Sequence, residues 1–269
     1  MSALEGYLRE LRHEYENPVF YKLSTSTGSL PLNDSIGSRV TIEFRGEKAC
    51  IHCGRKVKKL YQNGYCFPCV TSLAECDLCI VKPHECHFQK GTCRDNEFAM
   101  SHCMVPHYVY LAHSSHVKVG LTRKGRQFRR WIDQGASAAI LLAEVPDRKT
   151  AGELEMEIAQ RLSDKTDWRK MLRGIANPDI DDLIEVRQTV IASLPERYRS
   201  FVLEEEASVH RFQYPLTGPF EVNVTSLNLD KTAYIEGTLR GIKGQYLMFD
   251  HGVLNVKKFA GYHVQMSVL

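Results

Sequence analysis

The chain lacks any long apolar run. Its 269 residues hold nothing near the roughly 18 consecutive apolar positions that a membrane helix needs. The opening "MSALEGYLRELRHEY" has no apolar signal core. These absences predict a cytoplasmic protein with no membrane partner. Low-complexity tracts are missing too, and 43% hydrophobic with 25% charged residues is a globular balance. Excess charge of one sign is also small: the net charge is +3, which by itself selects no class of partner. Cysteine is absent from both ends of the chain, because all nine lie between Cys50 and Cys103. An odd, clustered set without an export signal argues for metal ligation over disulfides. Aliphatic residues are scarce in that block, so metal rather than an apolar core must hold it.

What is present begins with the cysteines. "CIHCGRK" and "GYCFPC" place Cys50-x-x-Cys53 and Cys66-x-x-Cys69 either side of residues 54–65. Each knuckle points two sulfurs at one ion, and two knuckles close a tetrahedral site. Gly54 suits the tight knuckle turn. Four thiolates leave no open position, so the expected ion is a structural zinc. Cys76-x-x-Cys79 is a third knuckle, with Cys86, Cys93 and Cys103 as candidate partners and His84, His87, His102 and His107 nearby. A second tetrahedral zinc from Cys76, Cys79 and two of the later cysteines is expected, and which two is left open. An iron–sulfur cluster is the alternative, since soft sulfur ligands suit both.

Around the cysteines the pattern reads as α+β. Residues 1–48 form a β segment in which "GSRVTIEF" alternates and the rest reads as short strands and turns. Residues 49–105 form the cysteine-rich zinc-ribbon region. Residues 106–197 read β-β-α-β-α: "YVYLA" and "VKVGLT" as strands, "GRQFRRWIDQGA" as a helix stopped by Gly135, and "AAILLAEV" as a buried strand. A helix opened by Asp147 follows, with Leu154, Ile158 and Leu162 at helical spacing. A further helix, "DDLIEVRQTVIASL", ends at Pro195. Residues 198–269 return to strands through "FEVNVTSLNL", "AYIEGTLRGI", "QYLMFD" and "VLNVKKF", and suggest a small barrel. "EGTLRGIKG" echoes "EGYLREL" near the start, which suggests that both ends join one β-domain.

Charge is uneven. Basic residues cluster in Lys48–Lys59 and Lys118–Arg130, and no acidic residue falls between His107 and Trp131. Acidic residues gather in Asp179–Glu185 and Glu204–Glu206. A basic face suits a polyanion, and a solvated charged face is the plainer reading.

The order "YVY", "KVG", "RRW" and a helix carrying Glu155 resembles the GIY-YIG nuclease superfamily over Tyr108 to about Leu162. The strings "CIHCGRK", "GYCFPC", "GTCRD", "HYVYLA", "VKVGLTR", "RWIDQGA" and "DKTDWRKML" resemble an uncharacterised bacterial domain family of unknown function, which supplies no biochemistry. The nuclease resemblance implies roles. Tyr110 would orient or activate the attacking water. Arg130, or Arg129, would steady the phosphate. Glu155 would hold Mg²⁺ or Mn²⁺, with Glu153 the less well aligned acid. Gly120 would let the backbone approach nucleic acid. Lys56, Lys58, Lys59, Arg123, Arg126 and Arg129 would contact DNA or RNA. Lys118 stands where the family has a second tyrosine. An ordinary lysine is protonated at neutral pH and takes up no proton, so it would contact a phosphate instead. The plainer alternatives are a core-edge Tyr110, solvated arginines, a Glu155 paired with a neighbouring base, and a core Trp131. Asp164, Lys165 and Arg169 form either a polar site or a capping turn at Asp164–Thr166 before a buried Trp168.

Three functions follow: a divalent-metal endonuclease, a zinc-stabilised nucleic-acid-binding protein without catalysis, and a metal- or redox-dependent modification enzyme.

Overall fold

Alternation in "GSRVTIEF" becomes a strand, and strands dominate both ends of the chain. A computed structural model describes residues 2–162, 167–173, 180–204, 208–218 and 224–269. Its first elements are β1 (Ser2–Glu14), β2 (Phe20–Thr25), β3 (Ser29–Pro31), β4 (Arg39–Lys48), α1 (Phe67–Ser72) and α2 (Asn96–His102). Next come β5 (His107–His113), β6 (Val117–Arg123), α3 (Gln127–Asp133), β7 (Ala138–Val145), α4 (Arg148–Ala159) and α5 (Trp168–Arg173). Then follow α6 (Ile180–Ser193), α7 (Glu196–Arg199), β8 (His210–Arg211), β9 (Tyr234–Lys243), β10 (Tyr246–Phe249), β11 (Gly252–Asn255) and β12 (Tyr262–Val268). Among the described residues no helix is long and apolar enough to cross a membrane.

The chain divides into two compact units, one of Met1–Thr71 with Gln213–Leu269 and one of Ser72–Phe212. In the first, eight strands lie in the order β11-β10-β9-β4-β12-β1-β2-β3. β1 pairs with β12 through its first half and with β2 through its second. That double pairing explains a 13-residue strand where short strands and turns were expected. The barrel expected for the terminal segments is corrected: β11 and β3 are separate edges of an open sheet. The edge strands have only four and three residues, too short to zip together, and Pro31 removes a donor from one of them. The strand expected across "FEVNVTSLNL" is also corrected where it is described. Residues 224–229 carry an isolated bridge, Ser226 to Val253. The Asn228 side chain accepts from the Asp230 amide at 2.8 Å and turns the chain away from a ladder.

In the second unit β5, β6, α3, β7 and α4 follow one another as the β-β-α-β-α order predicts. The sheet runs β6-β5-β7-β8. One face packs Val109, Leu111, Val119 and Leu121 against Leu154, Ile158, Leu183 and Val190. Tyr110, Gly120, Ala112 and Lys118 share the opposite face, because Tyr110 pairs with Gly120 and Ala112 with Lys118. Trp131 is fully buried among Tyr110, His210 and Phe212, which makes it core. Gly135 stops α3 at φ +65°, and Asp147 caps α4 by accepting from the Thr150 amide at 2.8 Å.

Candidate functional site

Three groupings of reactive side chains are built by these elements. The first is the four-thiol set of the first unit. The Cys50 amide donates to Arg55 and the Gly54 amide back to Cys50, with Gly54 at φ +73°. This closes the first knuckle. Gly64 at φ +128° fits against Ile51, where a Cβ would sit 2.7 Å from a methyl. That turn delivers Cys66, and α1 delivers Cys69. All four sulfurs lie within 4.8 Å of one another. The Cys53–Cys66 distance of 3.7 Å matches the edge of about 3.8 Å for a tetrahedron of about 2.3 Å bonds. It is far beyond a disulfide of about 2.05 Å. Burial opposes ionisation of Cys50, but backbone amides of Cys53, Cys66 and His52 outweigh it and lower the thiol to about 6. Burial pushes Cys69 up, with Cys66, Cys53 and Cys50 beside it. A divalent cation removes this conflict by holding all four as thiolates. The set can hold a metal ion such as zinc.

The second grouping contains Cys79 of the expected third knuckle. Residues 74–90 fold as four single 3-10 turns. Cys79, Cys86, Cys93 and Cys103 line one cavity with Phe88 and Phe98, and Cys76, although buried, is not among its lining residues. One cavity thus gathers Cys79 with all three of the later cysteines that the sequence offered as partners. Of the four candidate histidines, His87 lines this cavity and lies within 4.8 Å of Asp77 and Cys79. His87 meets Thr92 at 2.8 Å and Asp77 at 3.6 Å. His102 stacks on Phe98 and meets Ser101. His84 lies beside Glu85. His107 is fully buried, its Nδ1 meets the Val105 carbonyl at 2.7 Å, and burial lowers it to about 4.

The third grouping joins Tyr110, Arg130 and Glu155. Tyr110 is fully buried on β5, beside a register shift against β7. Gly120 opposite has no side chain, and a Cβ there would lie 2.6–2.9 Å from the phenol ring and hydroxyl. The room at Gly120 is thus taken by Tyr110, which corrects its expected role at nucleic acid. Gln134 orients its amide nitrogen to the Tyr110 hydroxyl at 2.9 Å. Its oxygen then accepts from Arg130 Nε at 3.2 Å and Nη2 at 3.1 Å. Burial raises the Tyr110 phenol. Arg130 opposes that by charge and hydrogen bonding, and Glu155 reinforces it. The charges of Arg130 on α3 and Glu155 on α4 both act on this phenol. Glu155 is half-buried. Burial lowers the Arg148 guanidinium, which also senses Arg130 and Glu155. Lys118 is buried on the same face as Tyr110.

The other expected residues lie apart. Glu153 pairs with Lys149 at 3.8 Å and lines a separate open groove with His84 and Arg197. Arg129 pairs with Asp133 on its own helix at 3.9 Å, which leaves Arg130 as the phosphate candidate. Arg123 donates to the Ser101 carbonyl at 3.0 Å, and Arg126 is exposed. In the first unit Lys56 pairs with Glu47 at 2.8 Å, Lys59 lies over Tyr61 and Lys58 is exposed. Asp164, Lys165 and Thr166 lie outside the described residues. Asp167 caps α5 instead, Trp168 is half-buried and Arg169 lies over its ring. Sequence reasoning missed Gln134 and Arg148. Gln134 stands one helical turn after Arg130, a spacing that brings two side chains together. Arg148 left no signal in the pattern.

A family model described as "Protein of unknown function (DUF2797)" matches residues 37–264. No curated protein and no solved structure matches the chain.

Proposed function

We propose, from the premise that the chain belongs to the family described as Protein of unknown function (DUF2797), that it acts on nucleic-acid phosphates through Tyr110, Arg130 and Glu155. The observation that carries this reading is that Gln134 bridges the buried Tyr110 of β5 to the exposed Arg130 of α3, with the half-buried Glu155 of α4 near enough for its charge to act on the phenol. Gln134 grips one edge of the Arg130 guanidinium and fixes its plane, which suits a phosphate clamp. Glu155 supplies a hard oxygen for Mg²⁺ or Mn²⁺, which would offset charge on the scissile phosphate. Tyr110 acts as a positioning residue in this reading. The β-β-α-β-α order over His107–Ala159 supports a GIY-YIG-like core and an endonuclease.

The burial of Tyr110 favours a second reading, binding without cleavage, because a hydroxyl closed off from solvent reaches no attacking water. Nicking of plasmid and structured RNA with Mg²⁺ or Mn²⁺ separates the two. The endonuclease reading expects cleavage that falls about 100-fold or more in Arg130→Ala or Glu155→Ala. Salt-sensitive binding that survives Glu155→Ala, with no cleavage by the unaltered chain, would establish the binding reading.

A further inference from the structure

Cys79, Cys86, Cys93 and Cys103 come from separate turns of the second unit and surround one cavity. The thiols act on one another: Cys86, Cys93 and Cys103 bear on Cys79, and Cys86 and Cys93 on Cys103. Yet they do not close on a point. In the first unit four sulfurs gather within 4.8 Å, whereas the only tight group in the second unit, among the described residues, is Asp77, Cys79 and His87. Asp77 is already engaged by Arg94 at 2.8 Å. This chain thus contains its own example of a single-ion site, with two C-x-x-C knuckles and touching sulfurs. The second set has neither feature.

We propose that these four cysteines hold a polynuclear iron–sulfur cluster. Four cysteines that line one space, with no three of their sulfurs within 4.8 Å of one another, suit a core of several irons and bridging sulfides. Soft thiolates and an apolar wall of Phe88 and Phe98 suit it chemically. Charge agrees. A cluster with four thiolates is anionic, and a half-buried cation stands beside it. Arg148 lies close enough to Cys103 and Cys79 to sense both. Its amide donates to the Cys103 carbonyl at 2.8 Å, and its Nη2 donates to the Ile80 carbonyl at 2.6 Å. Its Nε is buried with no partner, an orphan that an anionic cluster offsets. Packing agrees as well. Between Leu73 and Cys103 the buried residues are Ala74, Cys76, Pro83, Ala99 and Cys103. That is too little apolar surface to hold 3-10 turns without a cross-link.

The full chain purified without oxygen tests this by metal and acid-labile sulfide analysis, with visible absorption and electron paramagnetic resonance. Iron and sulfide in equal amounts alongside zinc are expected. Protein that has lost iron is expected to regain it from ferric iron, sulfide and a thiol reductant. Cys86→Ser and Cys93→Ser, at half-buried positions, should lose most of that iron and sulfide and keep the zinc. Cys76→Ser should keep both. Glu155→Ala should keep its iron whether or not the protein cleaves nucleic acid. Absence of iron before and after reconstitution, or iron unchanged in Cys86→Ser and Cys93→Ser, overturns the proposal.

Discussion

Tyr110 and Gly120 face each other across the first hairpin of the second unit, and neither is intelligible without the other. An alanine at Gly120 puts a methyl group 2.6–2.9 Å from the phenol. Overpacking of this kind costs about 1–3 kcal/mol, so Gly120→Ala should lower the melting temperature measurably. Tyr110→Leu removes the atoms that the methyl would meet. The double variant should therefore be less destabilised than the sum of the two single variants. Strict additivity in thermal unfolding would disprove the contact. His107 gives a pH prediction. Burial lowers it to about 4 from an ordinary 6.5, so between those values the unfolded chain binds a proton that the native state refuses. Stability should be level in this respect above about pH 6.5 and fall as the pH drops toward about 4. His107→Phe should flatten that slope in denaturant titrations at several pH values; an unchanged slope would reject the assignment.

Elements show where sequence and structure part. α4 starts at Asp147, as its capping side chain indicated, and carries Glu155 and Arg148. Its buried face was legible from Leu154 and Ile158 at helical spacing. The packing of Gly152 was not. There a Cβ would lie 2.6 Å from the His84 amide nitrogen and from the Pro83 Cβ, so α4 rests directly on the loop between Cys79 and Cys86. Helix propensity alone says that Gly152→Ala stabilises by about 1 kcal/mol. The contact with backbone says the reverse. We expect a lower melting temperature and looser retention of the iron proposed for the second unit, both measurable on one sample. The same contrast applies to the cysteines. C-x-x-C spacing identified the first site because both knuckles deliver their sulfurs to one point. It left the partners of Cys79 open, since spacing reports reach and not which cavity a side chain enters. Gln134 was invisible because its role depends on Tyr110, a residue on another element.

On the scale of the whole molecule, each unit combines a sheet with a set of cysteines. The pairing of β1 with β12 joins the two ends of the chain, and no local pattern announces a contact of that sequence separation. The echo of "EGYLREL" in "EGTLRGIKG" lies on β1 and β9, two strands of one sheet that are not neighbours. A metal ion held by the four thiols should matter to the stability of the first unit. Ala49 and Ile51 tie the Cys50 knuckle to Gly261 and Gly64, so Cys66→Ser should release a metal ion and lower the stability of that unit. Proteolysis with metal analysis checks this, and an unchanged metal content would exclude Cys66 as a ligand. The proposed chemistry stands on Tyr110, Arg130 and Glu155. Its most direct test compares the full chain with the Arg130→Ala, Glu155→Ala double variant in divalent-metal-dependent nicking of plasmid and structured RNA. The account predicts nicking by the unaltered chain and a loss of about 100-fold or more in the variant. Equal nicking by the two proteins, or neither binding nor cleavage of nucleic acid at low salt, would contradict it.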